Sequence, residues 1–185
     1  MIVSSVWIGD RLSKMERLTI KSHQANGHTF RLYAYGTPEG LPPGVDLADA
    51  SAILPASSIF RSVNGAVGDF ANYFKYRVLL AEGGCWTEMD EVCLRPWDDL
   101  PASYVSTEAA GSGPSIIDQA AIQIGAGHPL LAALVESCER RIKEGPPYEW
   151  SCFGVGTLQL SDHYVISGDN YSQMGRKLCH RSPIK

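Results

Sequence analysis

Hydrophobic and polar positions along this chain follow two periods in turn. Ile2 to Trp7 is a β-rich run closing at Ile8-Gly9, which predicts a first, buried strand. Arg11 to Ala25 then carries Leu12, Met15, Leu18, Thr19 and Ser22 at helical spacing. Asp10 offers an N-cap for this helix and Asn26-Gly27 ends it. His28 to Tyr35 alternates Phe30, Leu32 and Ala34 with polar neighbours and predicts a second strand. The opening is therefore β-α-β, the start of a Rossmann-like α/β sheet.

Gly36 to Gly44 is Pro/Gly-rich loop, and Leu47 to Leu54 reads as a short helix closed by Pro55. Residues 58–67 show no clear period. Gly68 to Glu82 is a helix: Phe70, Tyr73, Phe74, Arg77, Val78 and Ala81 keep the 3.6 period, and Gly83-Gly84 stops it. Trp86 to Glu88 and Glu91 to Leu94 read as strands, as does Tyr104 to Glu108. Ile116 to Ile124 reads as a short helix, and Pro129 to Lys143 as an amphipathic helix with His128 in a structural role at its start. Trp150 to Leu160 is irregular, and His163 to Ser167 looks like a strand. No repeat or linker interrupts the 185 residues, so a single domain over 1–185 is expected, with 167–185 as a lid or tail.

Glu88 and Asp90 sit one residue apart where a strand should end. Hard divalent cations take oxygen ligands, commonly one or two carboxylates with phosphate oxygens and water. The pair therefore points to Mn²⁺ or Mg²⁺ held against a diphosphate. Glu91 is expected on the opposite face as a surface charge.

A formal net charge of −4 with scattered Lys and Arg argues against nucleic acid as a partner. No apolar run is long enough to span a membrane and no signal pattern opens the chain, so the expected location is the cytoplasm or the inner face of the cell membrane. The five cysteines, at 85, 93, 138, 152 and 179, include no CxxC, so neither a disulfide framework nor a structural zinc site is expected.

Several segments in order resemble the bacterial glycosyltransferases of the "sugar-binding region containing DXD motif" family. They are Val6-Trp7-Ile8-Gly9, Asn72-Tyr73-Phe74-Lys75-Tyr76, Leu79-Leu80-Ala81-Glu82-Gly83-Gly84, Trp86-Thr87-Glu88-Met89-Asp90 and Val92-Cys93-Leu94. Ser106-Thr107-Glu108, Ile116-Ile117-Asp118-Gln119-Ala120 and Gly127-His128-Pro129-Leu130 follow. The resemblance covers roughly residues 2–160 and implies a GT-A-like, Rossmann-type mixed sheet flanked by helices. Four departures fall on functional positions. The family usually has Asp at Asn72, Arg at Lys75, Asp at Glu88, and often an Asn pair at Asp118-Gln119.

The resemblance implies a metal-dependent, retaining transfer of a hexose from a nucleotide-diphosphate sugar, with UDP favoured, to a glycan or other hydroxyl acceptor, as in polysaccharide biosynthesis. Asp90 and Glu88 would hold the metal, and Trp7 with Ile8 would line the base site. Asn72 and Lys75, on one helix face, would reach the sugar and diphosphate. Lys75 supplies a point charge without the fork of Arg. Asp118 and Gln119 would face the sugar, with a helix N-cap as the other reading of Asp118. Asp162 and His163 are candidates for a late third metal contact. The alternatives are a nucleotide-sugar or glycan-binding member of the same fold with weak or no transfer, and a nucleotide-sugar hydrolase. A nucleotidyltransferase is disfavoured because Ile8-Gly9-Asp10-Arg11 is too lean for its phosphate loop.

Overall fold

The computed structural model describes residues 1–109 and 115–154. The chain opens with β1 (Ile2–Trp7), α1 (Lys14–Ala25) and β2 (Thr29–Ala34), as the hydrophobic periods predict. The helix starts later than Asp10, however. Leu12 N–H donates to the Glu39 carbonyl at 2.9 Å and Glu39 N–H to the Asp10 carbonyl at 2.8 Å, which holds residues 10–12 extended. Ser13 is the cap instead, in a reciprocal capping box with Glu16.

Strand β3 (Asp46–Asp49) replaces the short helix expected over 47–54. It pairs in parallel with β2, and a turn of 3₁₀ helix, Ala50–Ala52, follows it directly, with a second at Ala56–Ser58. Helix α2 (Gly68–Glu82) leads through Gly83 into β4 (Gly84–Thr87). At Gly83 φ is +65°, and a Cβ would lie 2.4 Å from the Ala126 nitrogen, so this turn admits no side chain.

After β4 the chain is irregular, and no strand forms over 91–94. Strand β5 (Tyr104–Ala109) and strand β6 (Ser115–Ile124) precede α3 (Pro129–Glu144). The helix expected over 116–124 is thus a strand. It is antiparallel to both β4 and β5, and the tertiary ladder overrides a run with mixed periodicity. Asp118 consequently caps no helix. His128 does cap one, accepting the Leu130 N–H on Nδ1 at 3.2 Å.

The result is an α/β fold with one mixed six-stranded sheet in the order β3-β2-β1-β4-β6-β5. Strand alternation sends Val6, Tyr33, Trp86, Ile122 and Ile124 to a large core under α2 and α3. The other face carries Leu12, Ile20, Phe30 and Leu32 at α1, and Val3, Cys85, Cys93, Trp97 and Ala121 beside them. The segment after β4 runs along this second face beside α1. Thr19 Oγ1 donates to the Met89 carbonyl at 2.9 Å, Cys93 N–H donates to Ser22 Oγ at 2.9 Å, and Asn26 Nδ2 donates to the Cys93 carbonyl at 3.0 Å. Among the described residues no helix is long and apolar enough to cross a membrane.

Candidate functional site

The parallel strands β1 and β4 end side by side, and open α/β sheets place ligands at such carboxyl ends. A cavity of about 700 Å³ lies there. Trp7 and Ile8 line it from the end of β1, and Glu88, Met89 and Asp90 from the turn after β4. Asn72 and Lys75 line it from α2, and Asp118 and Gln119 from β6. All the residues singled out up to Gln119 therefore meet at one cavity. Asp162 and His163 lie outside the described residues.

The β4–β6 ladder sets the geometry. Thr87 stands opposite Ala121, and Glu88 N–H extends the pairing by donating to the Ala120 carbonyl at 2.8 Å. Glu88 has the parity of Trp86, so it rises on the α2 side of the sheet, where it meets Lys75. Lys75 is only 1% exposed; its Nζ donates to the Gln119 carbonyl at 3.1 Å and reaches Glu88 Oε1 at 3.4 Å. Burial lowers the Lys75 pKa, while Glu88 and then Asp118 pull it back up. The lysine is thus a buried brace between β4 and β6 as well as a positive charge beside the cavity.

Gln119 is buried too. Its Oε1 accepts a very short hydrogen bond from the Tyr76 hydroxyl, whose pKa burial drives well upward. Gln119 Nε2 is left without a partner among the described residues, as is the indole N–H of Trp7. Both nitrogens belong to residues that line the cavity, but the atoms themselves are buried beneath its surface. Asp118 accepts the Ala120 N–H on Oδ1 at 3.2 Å, and Ser106 Oγ bridges the Asp118 carbonyl and the Ala121 N–H where the β5–β6 register shifts.

Three features of the site escaped the sequence reading. Asp69, buried in the first turn of α2, accepts from Ser62 Oγ, from Ser151 N–H at 3.0 Å and from Phe153 N–H at 3.1 Å, and so ties residues 151–153 to the cavity wall. An acid in a first helical turn usually answers the helix dipole, which hides this role. Trp150, 69% exposed, lines the cavity from the same segment. Gly154 sits so close that a Cβ would lie 3.0 Å from Asn72 Nδ2. Glu91 corrects an expectation: it is 2% exposed rather than a surface charge, because the chain has left strand geometry and face alternation no longer applies.

Glu88, Asp90 and Asp118 line the cavity with the oxygen donors that hard cations take, although among the described residues the three carboxylates do not converge within 4.8 Å of one another. Glu88 would share its charge between such an ion and Lys75.

No family model matches the chain, and no curated protein matches it. Solved structures do. The PaToxG glycosyltransferase matches with a TM-score of 0.65 at 13% identity, over 86% of this chain and 66% of that one. The galactosyltransferase LgtC, solved with donor and acceptor sugar analogs, matches at 0.52 and 12% identity, over 86% and 69%. A transferase mutant matches at 0.54 and 10% identity, over 90% and 86%. The chain thus spans just under two thirds of the PaToxG chain. At these identities the likeness is one of fold: among the described residues, the mixed six-stranded sheet flanked by three helices matches the GT-A-like architecture of these glycosyltransferases.

Proposed function

We propose that this chain is a glycosyltransferase that moves a hexose from a nucleotide-diphosphate sugar to a hydroxyl acceptor with the help of Mn²⁺ or Mg²⁺. The observation that carries the reading is the meeting of Trp7, Asn72, Lys75, Glu88, Asp90, Asp118 and Gln119 at one cavity on the carboxyl ends of β1 and β4. In this reading Asp90 and Glu88 hold the cation, which when bound neutralises the charge of the diphosphate. Lys75 adds fixed positive charge at the same place and keeps Glu88 oriented. Trp7 lies against the base. Asn72 donates to a sugar hydroxyl, Gln119 packs beside the sugar, and Asp118 accepts from a hydroxyl. Asp69 holds the 151–153 turn, so that Trp150 offers its face to a sugar ring.

Among the described residues no carboxylate is set apart as a nucleophile, which favours attack from the face the diphosphate leaves. The acceptor oxygen bonds to the anomeric carbon as the bond from that carbon to the phosphate oxygen breaks, and the departing phosphate takes the acceptor proton. The anomeric configuration is retained. NMR of the product formed from a UDP-hexose with Mn²⁺ tests this: the same configuration in donor and product is expected, and inversion would refute same-face attack.

A binding protein with weak transfer is the second reading. It is favoured by the Lys75–Glu88 ion pair, which spends part of the charge of both groups on each other. Nucleotide binding with no sugar release or transfer would establish it.

A further inference from the structure

At the amino end of the sheet, on the α1 face, lies a cluster that the transfer reaction does not use. His23 near the end of α1, His28 just before β2, and Cys93 in the segment after β4 are all buried. One ligand atom from each falls within 4.8 Å of the others. His23 is 0% exposed, yet neither of its ring nitrogens has a partner among the described residues. His28 Nδ1 is also without one. A buried imidazole with both nitrogens unmet gives up its hydration for nothing in return. Aromatic contact, His23 edge-on to Trp97 at 4.7 Å between ring centroids, leaves those nitrogens unsatisfied.

We infer that His23, His28 and Cys93 form a second metal site, a structural one that takes zinc. Two imidazoles and a thiolate are the nitrogen and sulfur donors that suit Zn²⁺, whereas the oxygen-lined cavity at the other end suits Mn²⁺ or Mg²⁺. Bonds of about 2.0–2.3 Å draw the three ligand atoms together by roughly an ångström. An oxygen ligand, water or carbonyl, completes four-coordination. Binding exchanges the Cys93 thiol proton, which now points to the Arg95 carbonyl at 3.1 Å, for the metal, and the proton leaves to solvent. At His28 the ion competes with the Trp97 amide, which donates to Nε2 at 3.2 Å, for the single ring lone pair. The absence of CxxC spacing concealed the site, because its ligands come from three separate elements.

Its role follows from its position. Helix α1 already holds the 89–93 stretch through Thr19, Ser22 and Asn26, and the same segment begins at Glu88 and Asp90. Zinc adds a tie from α1 and β2 to the segment that carries both carboxylates.

The test uses the full chain, free of any histidine tag, chelator-treated and shown to be folded. One equivalent of Co²⁺ is expected to give a sulfur-to-cobalt charge-transfer band with tetrahedral visible bands, displaced by Zn²⁺. The charge-transfer band disappears in Cys93→Ala and persists in Asp90→Ala, whose cavity is lined by no cysteine among the described residues. X-ray absorption of the zinc-loaded wild type, which needs no variant to fold, should show one sulfur neighbour. No band and no zinc uptake, a band that survives Cys93→Ala, or a zinc shell without sulfur would each overturn the assignment.

Discussion

The segment from Glu88 to Trp97 runs from one end of the sheet to the other, and its two ends differ in how polar groups are treated. At the carboxyl end, Glu88 is 33% exposed, paired with Lys75, and faces a cavity. At the amino end, His23, His28 and Trp97 are packed among Cys93, Phe30 and one another, with ring nitrogens unmet. The first end exposes a charge network to the cavity. The second buries its polar atoms inside the core. One stretch of ten residues thus borders the cavity at its start and is buried in the core at its finish, and substitutions along it should divide accordingly.

The largest effect is expected at the buried end. Trp97→Ala empties a 1% exposed position and should cost about 3–5 kcal/mol in urea unfolding. A loss under about 1 kcal/mol would mean that this end is not core. At the site end, Glu88→Gln strands the buried Lys75 charge and should cost about 2–4 kcal/mol. The double variant Glu88→Gln/Lys75→Met should recover most of that loss, since no unpaired cation then remains; if it does not, the ion pair is not the reason for the cost.

Protons should also separate the two ends. Burial first, and then the neighbouring His28, lower the His23 pKa from 6.5 to about 3. The unfolded chain therefore takes up a proton that the folded chain refuses, and stability is full above pH 6.5 and falls towards pH 3. Each pH unit inside that window removes at most about 1.4 kcal/mol. Thermal unfolding of the metal-free protein between pH 7 and about pH 5 measures this, and His23→Phe should flatten the profile. The smallest effect on stability is expected at Asn72→Ala, within about 0.5 kcal/mol, while binding of a nucleotide sugar weakens. Unchanged binding would remove Asn72 from the site.

Elements with a strong local signal were legible from sequence. Helices α1, α2 and α3 bury a face that repeats with the helical period, and strands β1 and β2, buried on both faces, stand out as short apolar-rich runs bounded by turn residues. Strand β6 was not legible, because Ile116, Ile117, Ile122 and Ile124 are spaced for either a helix or a strand, and only pairing with β4 and β5 decides. The residues lining the cavity could be named, since they lie at strand ends and on one helix face. The burial of Lys75 could not, because a lysine on a helix reads as an outward polar stripe until β6 covers it. Asp69 and the 151–153 turn lie 82 or more residues apart in sequence, and nothing local joins them.

The central claim is that the cavity at the ends of β1 and β4 holds a nucleotide diphosphate through a cation on Asp90. Calorimetric titration of UDP and of GDP, with and without Mn²⁺, into the wild type and into Asp90→Ala tests it most directly. One nucleotide should bind the wild type only with Mn²⁺, and Asp90→Ala should lose that binding while remaining folded. Binding of neither nucleotide to the folded wild type, or equal Mn²⁺-dependent binding to Asp90→Ala, would contradict the account.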